Sequence, residues 1–135
     1  MPSSSDLITN GPLRRVYFLR FANGDAPARD FVEDLGRKRT TSPVASDFYA
    51  ACLALASHEK ASSSKPWDPS QGRPLDPRTI QFRCGKYRFI AIGDHLKGQR
   101  VLLIMMGFKK HTKKTPRSAQ RQIIKLHKRY RGERS

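Results

Sequence analysis

Apolar positions along the chain gather into seven blocks, and their spacing changes from one block to the next. Arg14–Phe21 (RRVYFLRF) is dense in Val, Tyr, Phe and Leu and predicts a first strand. Asn23-Gly24 turns the chain. Asp25 is placed to cap a helix with Pro27 in its first turn, and Ala28, Phe31, Val32 and Leu35 follow helical spacing up to a stop at Gly36. A second helix opens at Ser42-Pro43. Its stripe is Val44, Phe48, Ala51, Cys52 and Leu55, and the pattern fades by Glu59–Ala61. Ser62–Pro77 carries the Ser, Pro and Gly of a loop, with Trp67 expected to pack over the core or a helix end.

Period two then takes over. In Thr79–Cys84, Ile80, Phe82 and Cys84 share one face while Gln81 and Arg83 share the other. Lys86–Ile92 follows at once, so the pair forms an antiparallel hairpin. A two-residue turn at Gly85-Lys86 sets Cys84 opposite Tyr87 and Arg83 opposite Arg88. Gly93–Gln99 reads as a loop. Arg100–Met106 is the next strand, and its run Val101–Met106 is apolar without a break, as in a strand buried on both faces, until Gly107 ends it. The last helix spans Pro116–Tyr130 with Thr115 as N-cap, and Ala119, Ile123, Leu126 and Tyr130 form its docking stripe. The order β-α-α-β-β-β-α predicts an α+β fold. Two N-terminal helices and a basic C-terminal helix lie on one side of a small antiparallel sheet, whose other face stays open. Met1–Pro12, polar and rich in Ser, Gly and Pro, is expected to be a flexible tail, with residues 13–131 forming a single domain.

Charge changes this picture from fold to partner. The chain of 135 residues has a formal net charge of +16, and from Gly107 onward eleven Lys and Arg face one acid, Glu133. Such a field selects anionic partners, nucleic acid first. Met1–Pro12 lacks the apolar core of a secretory signal. Val101–Met106 falls far short of the ~18 residues of a membrane span. Two cysteines make no disulfide framework. A cytoplasmic protein that contacts no membrane is expected.

The candidate chemistry follows from what is absent as well as present. No Gly-rich phosphate loop occurs, the histidines and cysteines lack zinc spacing, and no acidic pair stands where a two-metal nuclease needs one. No metal or cofactor is therefore expected. RNA can be cleaved without metal because it carries its own nucleophile, the 2′-OH. The catalyst must align it, remove its proton, stabilise a phosphorane and protonate the leaving 5′-oxygen. Arg83, Arg88, Lys109 and Lys110, delivered by three neighbouring strands, are the expected electrostatic catalysts. His111, with an ordinary pKa near ~6.5, is the obvious neutral-pH acid or base. A lysine crowded by cations is another possible base.

The string GFKKHTKKTP (Gly107–Pro116), preceded by the long apolar strand Val101–Met106 and by FRCGKYRFIAI (Phe82–Ile92), resembles the RelE/ParE toxin superfamily, most closely its HigB-like, phage-associated branch. Arg73-Pro74-Leu75, Gln81-Phe82-Arg83 and Lys86-Tyr87-Arg88-Phe89 match further elements of that pattern. Departures are Gln81-Phe82 where Glu-Leu is common, His111 in place of the residue between the Lys pair and Thr112, and a long Ser62–Pro77 loop. The resemblance implies a RelE-like fold and the toxin of a type II toxin–antitoxin pair, an endoribonuclease that cuts mRNA in the ribosomal A site and leaves a 2′,3′-cyclic phosphate. It implies a cognate antitoxin of helix-turn-helix type. Arg83 and Arg88 match the family's strand arginines, and Lys109, Lys110 and Thr112 its basic motif. RNA contacts are expected from Lys86, Phe108, Thr112, Lys113, Lys114, Arg117 and Arg121. The same superfamily includes DNA gyrase inhibitors, and a non-catalytic basic RNA-binding module is a further alternative.

Overall fold

The computed structural model describes residues 4–59, 64–66, 78–111 and 115–134. In chain order its elements are β1 (Leu7–Asn10), β2 (Arg15–Phe18), α1 (Pro27–Arg37), α2 (Ser42–Ser57), β3 (Ser64–Pro66), β4 (Thr79–Cys84), β5 (Tyr87–Leu96), β6 (Gln99–Lys109) and α3 (Arg117–Arg134). The strands form one sheet in the order β1-β2-β6-β5-β4-β3. The α+β class is as expected, but the sheet is mixed, because β2 runs parallel to β6 while every other pair is antiparallel. No helix among the described residues is long and apolar enough to cross a membrane.

Both faces of the sheet are covered, which corrects the expectation of an open one. α1 and α2 bury Ala28, Val32, Leu35, Phe48, Cys52 and Leu55 against Val16, Phe18, Phe82, Phe89, Ala91, Leu102 and Ile104. Phe48 is the centre of that layer, with ring centroids 5.8 Å from Phe18, 5.9 Å from Phe82 and 4.6 Å from Phe89. α3 packs on the opposite face. Its expected stripe, Ala119, Ile123, Leu126 and Tyr130, is buried with Ile90, Ile92, Leu103, Met105, Met106 and Phe108. The unbroken apolar run of β6 thus has a hydrophobic layer on each side and water on neither.

A β-bulge at Met105 decides which side chain faces which layer. Ile90 pairs with Met106, but Ala91 pairs with Ile104, leaving one extra residue in β6. Alternation therefore reverses there. Leu102 and Ile104 face α1 and α2, whereas Met106 and Phe108 face α3. Gly107 does not end the strand, which continues to Lys109. It supplies space instead: a Cβ there would sit 2.7 Å from the Phe89 ring and 2.8 Å from the Phe31 ring of α1.

Other boundaries shift for local reasons. The expected loop Gly93–Gln99 is mostly strand, because Lys97 (φ 52°) and Gly98 (φ 78°) form the tight turn joining Leu96 to Gln99, with both central residues left-handed as a type I′ turn requires. β3 lies inside the expected Ser62–Pro77 loop; Trp67 and Arg73-Pro74-Leu75 fall outside the described residues. The expected tail is also structured from Ser4. β1 pairs with β2, and the fully buried Asp6 carboxylate takes hydrogen bonds of 2.8–3.1 Å from Arg20, with Arg29 3.5 Å away. Ala26, not Asp25, is the N-cap of α1, and the helix runs one residue past Gly36. Asp25 instead binds Asn23 and the Arg129 guanidinium. The C-terminus of α2 is closed by the buried Arg14, whose guanidinium donates to the Leu55, His58 and Glu59 carbonyls at 2.7, 3.2 and 3.1 Å.

α3 runs antiparallel to β6 and is latched at its far end. Tyr130 donates its phenol proton to the Asp94 carboxylate, which also takes a 3.0 Å bond from Arg134 Nε, a 2.7 Å bond from the His95 backbone N–H and an ion pair from Arg78. Burial pushes the Asp94 carboxyl up, but these donors outweigh it and hold its pKa below the ordinary carboxylate value. The unfolded chain therefore binds this proton more tightly than the folded one. The latch contributes its full stability above about pH 4 and loses it as pH falls through the lower folded pKa. Asp94→Asn is expected to cost about 1–3 kcal/mol near neutral pH. Thermal melts from acid to neutral pH should show the gap to wild type closing at the acid end.

Candidate nucleic-acid interface

The Gly85-Lys86 turn builds the site. Gly85 takes φ +61° as its first central residue, the place where a type II′ turn requires glycine. The turn fixes the expected register: Cys84 lies opposite Tyr87 and Arg83 opposite Arg88. On the next strand Phe108 lies opposite Arg88, and Lys109 opposite Tyr87. Two rows of opposite facing result. Arg83, Arg88 and Phe108 point to the α3 side, while Cys84, Tyr87 and Lys109 point to the α1–α2 side.

Two of the four expected catalytic cations, Arg83 and Arg88, thus meet on one face, and a third, Lys110, joins them. Arg88 is half-buried and Arg83 exposed. Burial, then the neighbouring Arg83 charge, pushes the Arg88 guanidinium below its ordinary pKa. Arg88 Nη1 donates to the Gly85 carbonyl at 2.9 Å and the Tyr87 carbonyl at 3.1 Å, so the turn orients the guanidinium and leaves its other N–H groups for a ligand. Lys110 is held by its backbone N–H bond of 2.7 Å to the Lys86 carbonyl. Partial burial, then Arg88 and Lys65, lower its ammonium pKa. Among the described residues, the carboxylate ion pairs engage Arg20, Arg29, Arg37, Arg78, Arg100, Arg129 and Arg134, and none engages Arg83, Arg88 or Lys110.

Lys65 is the residue that sequence reasoning missed. It sits on β3 opposite Gln81, in the row next to Arg83, and its charge reaches Lys110. Its strand is three residues long and ends in Pro66, inside a stretch whose Ser and Pro content reads as loop. No periodicity could have marked it.

Other expected residues are placed differently. Lys109 is exposed, but on the opposite face, with its ammonium 6.0 Å from the Tyr87 ring centroid. It does not join the Arg83–Arg88 pair, because the Met105 bulge sets its parity. Phe108 is only 8% exposed and packs in the α3 layer, so it supports the sheet and has no free ring to stack on a base. Lys86 and His111 are exposed beside the turn and after Lys110. Arg117 and Arg121 are exposed on the first turns of α3. Because α3 runs antiparallel to β6, those turns lie at the Arg88 end, where the positive end of the helix dipole adds to the field. Thr112, Lys113 and Lys114 fall outside the described residues. Among the described residues no three His, Cys, Asp or Glu side chains gather as metal ligands do.

What these residues can do chemically is bind and polarise an anion. Two guanidiniums facing each other across a ladder, with a crowded ammonium beside them, repel until a phosphate-sized anion bridges them. No protein-family model matches this chain, and no curated protein matches its sequence.

Arg88→Ala is expected to leave the fold intact, with Tm within about 5 °C of wild type, roughly 1 kcal/mol, since it removes a repulsion along with two turn hydrogen bonds. Inorganic polyphosphate should raise the Tm of wild type more than that of Arg88→Ala. Equal shifts in a thermal-shift titration would remove the anion site.

Proposed function

We propose that the chain is a RelE-like toxin that cleaves RNA without metal, with mRNA in the ribosomal A site as substrate and a helix-turn-helix antitoxin as its cognate inhibitor. The observation that carries the reading is the Arg83–Arg88 pair, directly opposed in register and unneutralised by any carboxylate among the described residues. Opposed cations cost stability, and a fold retains them where an anion makes them useful. The resemblance of Phe82–Ile92 and Gly107–Pro116 to the HigB-like branch supplies the substrate class and the partner.

The proposed chemistry assigns each group one task. Lys110, its ammonium pKa lowered by partial burial and then by Arg88 and Lys65, takes the 2′-OH proton. The 2′-oxygen attacks the adjacent phosphorus, the bond from phosphorus to the 5′-oxygen breaks, and a 2′,3′-cyclic phosphate and a 5′-hydroxyl result. Arg88 and Arg83 bind the equatorial oxygens as negative charge accumulates, which is where a preorganised donor contributes most. His111, exposed next to Lys110, protonates the leaving oxygen. Lys86, Arg117 and Arg121 hold flanking phosphates.

Arg88→Ala is expected to lower cleavage at least ~10²-fold, the scale of losing one transition-state donor. Arg88→Lys should recover part of it, because a point charge replaces a planar fork. Mapping mRNA 5′ ends after induction in cells tests the class of activity. Cuts at fixed places within translated codons support the reading, and double-strand DNA damage without RNA cuts would replace it with gyrase inhibition. In a purified system, binding to single-stranded RNA should weaken steeply with salt, with a log–log slope of about −0.7 per phosphate contacted.

A further inference from the structure

α2 stops short of one end of the sheet face that it covers. Ala91 and Leu102 are buried in its layer, but Gly93, His95 and Arg100, next along the same face, are half-buried or exposed. The space beyond the helix end is a cavity of about 460 Å³, lined by Arg14, Glu59, Ile80, Gly93, His95 and Arg100, with β3 as one wall. A volume of that size is ordinary for a small-ligand site. Most of the surface turned into it is apolar. It lies on the opposite sheet face from Arg83 and Arg88, and Gly93 is roughly 17 Å along β5 from Arg88.

The charges around the cavity do not balance. Arg100 grips Glu59 at two points, 2.8 and 3.1 Å, and Arg78 pairs with Asp94 at 3.3 Å. That leaves Arg14 as the third guanidinium of the lining, against two carboxylates already held. Lys65 of the β3 wall adds to the same sign. Arg14 is only 8% exposed and forms no ion pair with a carboxylate among the described residues. Burial lowers its pKa and outweighs the nearby Glu59. Its Nε and Nη2 donate to the carbonyls that end α2, but Nη1 donates to no described residue and is not sealed from solvent. Two N–H groups of a largely buried cation are thus left for an acceptor.

We propose that this cavity binds one small organic anion, a carboxylate or phosphate on a flat apolar body. Its charged head accepts from Arg14 Nη1, and its body lies against Pro66, Ile80 and Gly93. A single anionic head offsets Arg14. A neutral ligand leaves that buried charge uncompensated, and a cation adds to it. A run of phosphates fits poorly, because Glu59 and Asp94 stand in the walls. Bound there, the ligand ties the end of α2 to β3 and β5. The cavity lies apart from Arg83, Arg88 and Lys110, so the proposal stands whether or not the chain cleaves RNA.

The test is an NMR titration of isotope-labelled full-length protein with benzoate, phenyl phosphate and benzyl alcohol. Benzoate or phenyl phosphate should shift the backbone amides of Ile80, Gly93 and His95 and the Arg14 Nε–H, saturating with a Kd of order ~1 mM. The tighter of the two identifies the head group. Benzyl alcohol keeps the ring and lacks the charge, and is expected to bind at least ~10-fold more weakly. A Cβ added at Gly93 meets nothing nearer than 3.7 Å, so Gly93→Phe places a ring in the cavity without touching a charge. It should abolish the shifts and leave the thermal melt no lower than wild type. Arg14→Lys should weaken binding at least ~10-fold. That variant also loosens the end of α2, so Gly93→Phe carries the test if it fails to fold. Equal binding of benzyl alcohol, shifts that survive Gly93→Phe, or no shifts up to ~20 mM of either anion would overturn the proposal. So would a single-stranded RNA oligonucleotide that moves these amides where benzoate and phenyl phosphate do not, which would assign the cavity to the RNA path.

Discussion

β6 is clamped between two hydrophobic layers, and the rest of the molecule follows from that clamp. A strand with apolar neighbours above and below admits no polar side chain over its length, which is why Val101–Met106 contains none. It also cannot drift in register without pushing a large side chain into the wrong layer. The bulge turns Met105 and Met106 into the same layer, on the α3 side, where methionine, a side chain that fills irregular gaps, takes up the extra residue. Downstream, that single extra residue decides that Phe108 faces α3 and Lys109 faces Tyr87. The composition of the charged end is thus set by packing several residues away.

The arginines divide by what they meet. Arg20 and Arg29 hold Asp6, Arg78 and Arg134 hold Asp94, and Arg100 holds Glu59 across the gap between β6 and the end of α2. These join elements distant in sequence, and Arg14 does the same through carbonyls alone. Arg83 and Arg88 face each other across the turn, with Phe108 and Lys110 beside Arg88, and no carboxylate among the described residues pairs with either. The first group meets acids, and the second meets none among the described residues. A strongly basic chain can therefore be internally well paired and still keep one uncompensated corner.

Much of this was legible in the sequence, for identifiable reasons. Period-two alternation in Thr79–Cys84 and the short Gly85-Lys86 link fixed the Arg83–Arg88 register, because a two-residue turn leaves no freedom. The 4-3-4 spacing of Ala119, Ile123, Leu126 and Tyr130 marked the buried stripe of α3. The second layer was not legible: an amphipathic helix announces that it docks, not on which face. Nor was the bulge, since an unbroken apolar run has no alternation to interrupt, and so Lys109 and Phe108 were assigned to the wrong surroundings. Gly107 looked like a terminator when its role is to admit the Phe31 and Phe89 rings. β1 and β3 were missed because four-residue and three-residue edge strands in Ser- and Pro-rich sequence take their conformation from the neighbour they pair with.

The parallel pairing of β2 with β6 bears on how the chain folds. Val16 lies beside Leu102, eighty-six positions later. The hairpins β4–β5 and β5–β6 close locally and quickly, whereas β2, paired with β1 on one edge, has no partner for its other edge until β6 exists. On a ribosome making this protein, β1, β2, α1 and α2 emerge before β6 does and wait without it. The row containing Arg83 and Arg88 is complete only when Phe108, twenty positions after Arg88, arrives beside it. A chain released early would carry the helices and no cationic corner.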